Sequence, residues 1–265
     1  MGIPFSRWHP AIEKRRSRRY FDPNLPIAPD VLAALDNVCN QFVPFPHAWS
    51  RLVTKSADSV FKGIIGSYGR IKNASAFIAF IGNMSDPFAQ EEVGYTGEGI
   101  ILEATALGSG TCWVGGFFRA EIATALAEVG ENERVLAITP VGYTQESESW
   151  EERLMTGFAR SHNRVALSKL ARGLPREKWP NWVGVSLEAA RLAPSAANRQ
   201  PWGFDVQDDG IAVFVRTRGP QFNVSKRLDC GIAMLHLEVA ALDSGCKGEW
   251  DFLPSPQVAK FKTRS

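Results

Sequence analysis

The chain has 265 residues, 45% of them hydrophobic and 22% charged, a balance that excludes a disordered or fibrous protein and allows one large or two small domains with a sizeable core. Thirty Lys and Arg against 28 Asp and Glu leave a net charge of +2, too small for nucleic-acid binding by the surface at large. Cys39, Cys112, Cys230 and Cys246 are widely spaced without a CxxC pair, which argues against a zinc site or disulfide scaffold and for reduced thiols.

The N-terminal MGIPFSRWHP lacks a secretory apolar run, and no stretch approaches 18 apolar residues, so a cytoplasmic location without a membrane partner is expected. Next comes the densest basic cluster, KRRSRR at Lys14 to Arg19. Taken alone it fits a solvated basic face or a nucleic-acid patch as well as an anion site. Apolar spacing predicts a helix from about Ala28 to Asn40, a strand from Ser75 to Gly82, a long helix from about Gly94 to Gly108, a glycine-rich loop, and a strand from Val135 to Tyr143. Residues 145–182 are polar, contain GLPREKWPNW and read as a linker. Beyond it are expected a helix (Asn181 to Leu192), strands at Trp202 to Val206 and Ile211 to Arg216, and a helix from about Leu228 to Ser244. Pro194 stops the first of these helices, and the small, polar loop APSAANRQPW follows.

The chain carries an internal repeat. GIILEATALGSG (Gly99 to Gly110) aligns without gaps on MLHLEVAALDSG (Met234 to Gly245), identical at six of twelve positions, and both read as helices closed by a left-handed glycine. The same offset lays AFIAFIG (Ala76 to Gly82) on IAVFVRT (Ile211 to Thr217). An α+β architecture with two related halves is expected, residues 1–144 and 183–265, joined by the linker 145–182.

RRSRR (Arg15 to Arg19), APSAANRQPW and ATALGSGTCWVGGFF (Ala104 to Phe118) together resemble the motifs of the FMN-dependent nitroreductase family, over most of the chain. Their order departs from that family's. The first half has the basic motif and the Trp-Gly-Gly loop but no APSxxN loop; the second half has the APSxxN loop alone. Ordinary members are homodimers whose flavin lies between subunits, so the resemblance implies a fused, single-chain pseudo-dimer with one surviving composite site.

For the residues, the resemblance implies the following. Arg15, Arg16, Ser17 and Arg19 would serve the flavin phosphate and its ribityl or pyrimidine side, since guanidinium groups pair bidentately with phosphate. His162 and Arg164 in RSHNRVAL would add a second phosphate contact. Pro194, Ser195, Ala196, Asn198 and Gln200 would line the ring edge and ribityl chain, Ala196 through its backbone only and Asn198 as donor and acceptor. The alternative for Asn198 is a capping role in a helix-stop loop. Trp113, Val114, Gly115 and Gly116 would bring a backbone N–H to flavin N5, glycine allowing the approach; the alternative for Trp113 is burial in a turn. Arg70, or else Lys72, would sit near flavin N1 and O2. His236 reads as a satisfied core or interface histidine. Catalysis is assigned to the flavin rather than a side chain, and no metal is expected.

The activity implied is reduction of a nitroaromatic or quinone acceptor by NADH or NADPH. A non-catalytic FMN-binding or sensor protein is the alternative, and a nucleic-acid-binding protein a third. The partner expected is a small-molecule acceptor, not nucleic acid, and the chain is expected to be a monomer.

Overall fold

The computed structural model describes residues 1–55, 57–61, 71–144, 163–216 and 223–264. Its elements are α1 (Phe5–Lys14), α2 (Pro29–Gln41), β1 (Ala48–Val53), α3 (Ala57–Phe61), β2 (Ala76–Asn83), α4 (Ala89–Ala106), β3 (Gly110–Thr111), α5 (Ala120–Ala127) and β4 (Glu133–Gly142). They continue with α6 (Leu167–Leu170), β5 (Ala171–Gly173), α7 (Asn181–Arg191), β6 (Trp202–Gln207), β7 (Gly210–Val215), α8 (Lys226–Asp243), β8 (Gly248–Phe252) and β9 (Gln257–Thr263). The α+β class is thus observed. Among the described residues no helix is long and apolar enough to cross a membrane.

Two sheets form. The first runs β1-β2-β4-β3 and the second β5-β6-β7-β9-β8, all pairs antiparallel except β5 with β6. Apart from β5, the strands of both sheets come in one sequence order: edge strand, neighbour, long helix, far edge, inner strand.

β2 is apolar on both faces because it separates two cores. Its alternating side chains Ala76, Ile78 and Phe80 join the main core, while Phe77, Ala79 and Ile81 join a smaller core with Val60, Phe61, Ala123 and Ala127 of α3 and α5. Between the sheets lie α4 and α8, which pack on each other, α4 also against β1 and β2 and α8 against β6 and β7. Both are buried nearly all round, as a helix lacking a polar stripe must be.

Their contact is set by two glycines. A Cβ on Gly94 would lie 2.0 Å from the Leu228 carbonyl oxygen, and one on Gly231 would lie 2.0 Å from that of Glu91. Backbone meets backbone at both points, closer than any side chain allows. The helices end as the repeat implies, with Gly108 and Gly245 at φ +79° and +80°.

The long first-half helix begins at Ala89, five residues before the sequence expectation, after a turn in which Asp86 accepts the Phe88 N–H at 2.7 Å. The described part of the linker, residues 163–182, is more than a polar crossing: α6 and β5 lie there, and β5 extends the second sheet. Two strands of the second sheet, β8 and β9, follow the last helix that the sequence pattern revealed.

Candidate functional site

The basic motif leaves α1 at Arg15 and runs extended. Ser17 bridges to Thr111, Arg18 N–H bonds the Thr111 carbonyl at 2.7 Å, and the Arg19 carbonyl accepts the Lys72 N–H at 2.9 Å. The segment is therefore laced onto β3, which leads directly into the Trp113 loop. Arg15 turns inward and is 8% exposed, whereas Arg16 stays at the surface with its guanidinium on the Glu13 and Arg15 carbonyls. Arg15 Nε and Nη1 have no hydrogen-bond partner among the described residues; the nearest carboxylate oxygen, of Glu98, is 3.9 Å from Nε. Burial lowers the Arg15 pKa against the opposing pull of Glu98.

Arg164 arrives from the linker. Its Nη1 donates to Asn198 Oδ1 at 2.9 Å and its Nη2 to the Leu192 carbonyl at 3.1 Å. Burial first, then repulsion from Arg15, Arg191 and Arg16, pulls its guanidinium down to about 10. Two halves of the chain thus bring like charges together, Arg15 buried and Arg164 partly buried. That arrangement is costly unless an anion joins it.

The loop after α7 holds Arg164 in place. Asn198 Nδ2 donates to the Asn163 carbonyl, and Gln200 accepts the Val165 N–H while donating to Asn163. Ser195 Oγ accepts the Gln200 N–H. Ala197, Asn198 and Gln200 sit at φ 55°, 50° and 44°, with Arg199 right-handed between the last two; non-glycine residues adopt such positive angles chiefly when their surroundings impose them. What imposes them is Asp229 at the start of α8, whose Oδ1 accepts the Ala196 N–H and whose Oδ2 accepts Arg199 Nε at 2.7 Å. Arg199 also donates to the Val224 carbonyl. The Val224 side chain in turn lies where a Cβ on Gly115 would be, at 2.7 Å. The first half's glycine loop therefore touches the second half's loop support.

Trp113 is half-buried, its ring tilted against Phe80 with centroids 4.7 Å apart, and donates its indole N–H to Glu98 Oε2 at 2.6 Å. Val114 N–H is committed to Ile138 O, and Gly116 takes φ +82°. Glu98 Oε1 faces His236 Nε2 at 2.9 Å, while His236 Nδ1 lies 3.0 Å from the Ala189 carbonyl. A carbonyl only accepts, so Nδ1 carries a proton and one further proton bridges Nε2 and the carboxylate. Both residues are fully buried. Glu98 so ties the basic motif, the Trp113 loop and the second half together at one point.

The structure thus gathers Arg15, Arg164, the 194–200 loop and the 113–116 loop around α4 and α8. Ser17 and Arg19 lie on the strand-like segment beside them. Arg70 and His162 lie outside the described residues. Sequence reasoning missed Glu98, Asp229 and Arg199; the available signal was a carboxylate inside an otherwise apolar helix. The repeat-related Glu103 and Glu238 belong to the same class, each accepting an indole N–H, from Trp8 and Trp250.

Burial outweighs the attraction of Arg199 and pushes the Asp229 carboxyl up to about 6 from 3.8. The folded protein then holds this proton more tightly than the unfolded chain. The group's contribution to stability is complete below about pH 4 and is lost as pH rises through about 6. Urea titrations of Asp229→Asn and wild type from pH 4 to 7 should show the variant gaining about 2 kcal/mol relative to wild type with rising pH; a pH-independent difference would contradict this.

A family model described as "Putative TM nitroreductase" matches residues 8–241. The chain belongs to this nitroreductase family. A solved nitroreductase from Thermotoga maritima shares the fold at 20% identity and TM-score 0.63, covering 96% of this chain and 93% of its own. A nitroreductase family protein from Clostridium novyi is 20% identical with TM-score 0.45, over 54% of this chain and 89% of that one. One from Clostridium difficile is 18% identical with TM-score 0.47, over 64% and 98%. No curated protein sequence matches the chain.

Proposed function

We propose that this nitroreductase-family chain is an FMN-dependent oxidoreductase reducing nitroaromatic or quinone-type acceptors with NADH or NADPH, with one FMN per chain. The observation that carries the reading is Arg15, a buried guanidinium with two nitrogens unpartnered among the described residues, whose charge repels a second guanidinium, Arg164. A dianionic phosphate supplies the acceptors and charge that this pair lacks. The residues present therefore fit the group.

In this reading Arg15 and Arg164 hold the phosphate, Arg16 stands at the surface with its guanidinium on backbone carbonyls, and Ser17 and Arg19 follow the cofactor away from it. Pro194, Ser195 and Ala196 present loop backbone, while Asn198 and Gln200 act chiefly by fixing Arg164, since their amides are engaged there. Gly115 and Gly116 offer backbone to the reactive edge. When bound, the flavin supplies two-electron transfer between the nicotinamide and the acceptor. Glu98 and His236 are sealed from solvent, so protons for the acceptor come from water rather than from them.

The shared order of strands in the two sheets, with α4 and α8 packed between them, supports an internal pseudo-dimer built from residues 1–144 and 183–265 and a monomeric protein. Reconstitution should reach about one equivalent of FMN, and turnover with NADH or NADPH and an acceptor panel should exceed that of free flavin. An uptake of two equivalents would overturn the single-site reading, and tight FMN binding without turnover would identify a flavin-binding sensor instead.

A further inference from the structure

A second cluster lies away from these loops, where the chain enters β1 and α4. His47 precedes β1, Asp86 precedes α4, and Glu92 stands in its first turns. One ligand atom from each lies within 4.8 Å of the others. His47 Nδ1 is 3.3 Å from Asp86 Oδ2 and 3.6 Å from Glu92 Oε2.

The local backbone aims these atoms inward. The His47 carbonyl accepts the Asn83 N–H at 2.8 Å, which fixes the histidine beside the end of β2. Asp86 spends Oδ1 on the Phe88 N–H, which leaves Oδ2 turned to the imidazole. Glu92 is only 4% exposed, and neither its Oε2 nor His47 Nδ1, both shielded from solvent, has a hydrogen-bond partner among the described residues.

The distances have a simple geometric meaning. Zinc bonds to imidazole nitrogen and carboxylate oxygen of about 2.0–2.1 Å place tetrahedral neighbours about 3.3–3.4 Å apart. The two edges at His47 are 3.3 and 3.6 Å, longer than good hydrogen bonds but close to that spacing. We propose that His47 Nδ1, Asp86 and Glu92 form a divalent-cation site suited to Zn²⁺, with a fourth position for water. One imidazole and two carboxylates match a borderline ion such as zinc or cobalt, and supply too few oxygens for calcium. The site ties the entry of β1 to the first turns of α4. A cation held by the folded chain alone stabilises it by mass action. The sequence expectation of no metal rested on the cysteines, and these ligands share no short motif, since β1 and β2 separate His47 from Asp86 and Glu92.

The test uses protein stripped with a chelator and titrated with Zn²⁺ by calorimetry and with Co²⁺ by visible absorption. Wild type should take up one equivalent, show tetrahedral cobalt bands and melt at higher temperature with metal. Glu92→Gln should weaken uptake by at least tenfold, roughly the smallest loss caused by removing even an outer partner of a ligand. Asp86→Asn should do the same while its amide oxygen keeps the Phe88 hydrogen bond, so a folding defect is separated from ligand loss; circular dichroism checks the fold of both. No uptake by wild type, or uptake unchanged in a folded Asp86→Asn protein, would overturn the site, the latter pointing to the four thiols as ligands.

Discussion

Gly231→Ala is expected to cost about 3–5 kcal/mol of stability, at the upper end for one added methyl. The new Cβ would stand 2.0 Å from the Glu91 carbonyl oxygen and 2.9 Å from the Glu91 Cα, all backbone atoms of α4. No rotamer change relieves such an overlap, so α4 and α8 must separate along their length. Gly94→Ala meets the mirror obstacle at Leu228 O and should behave alike. Because α4 carries Glu98 and α8 carries Asp229 and His236, the separation also loosens both candidate flavin loops. Gly184→Ala in α7 is the control, since a Cβ there meets nothing within 4 Å. It should gain up to about 1 kcal/mol from helix propensity alone. Denaturant unfolding and calorimetry check both. A loss below about 1 kcal/mol in Gly231→Ala would mean that the helix contact is slack.

Replacing Arg15 should separate stability from flavin binding. Without an anion, Arg15 is a buried cation with two nitrogens unpartnered among the described residues. Arg15→Met keeps the aliphatic volume and removes that penalty, so the cofactor-free protein should gain about 1–3 kcal/mol. FMN affinity should fall by about a hundredfold, the equivalent of one or two charge-assisted hydrogen bonds. Combined replacement of Arg15 and Arg164 by alanine should deepen the binding loss. Arg18→Ala should change it by less than about threefold, because Arg18 Nε is engaged with Thr144 Oγ1. Unfolding of the stripped proteins and flavin fluorescence titration give both quantities. A purely structural Arg15 predicts the reverse sign for stability, and equal binding losses at Arg15 and Arg18 would mark a generic basic face.

Local pattern was enough for much of this protein. The apolar runs of β2, β4, β6 and β7, the helices α2, α4, α7 and α8, the glycine stops of α4 and α8 and the proline stop after α7 follow from periodicities and caps that a chain carries regardless of its partners. The 194–200 loop was legible as a helix stop from its Pro and small polar residues, while the basic segment fits several uses by itself, and only the family resemblance joined the two into one candidate site. Long-range pairing was not legible. β1, β8 and β9 are mixed strands that exist because neighbours hydrogen-bond them, and β5 is three residues placed by β6.

The tertiary structure also decided which of the basic residues matters. RRSRR is a row of similar charges in sequence, and only burial against Glu98 distinguishes Arg15 from the exposed Arg16. Asn198 and Gln200 carry the side chains of a ligand-binding loop, yet folding commits their amides to residues 163–165 and to Arg164, which no spacing predicts. Glu98, His236 and Asp229 look like isolated polar residues in apolar helices until α4 and α8 cross. The reason is common to all of these: propensity and patterning act over one helical turn or strand, whereas desolvation and charge pairing depend on groups that only the folded chain brings together.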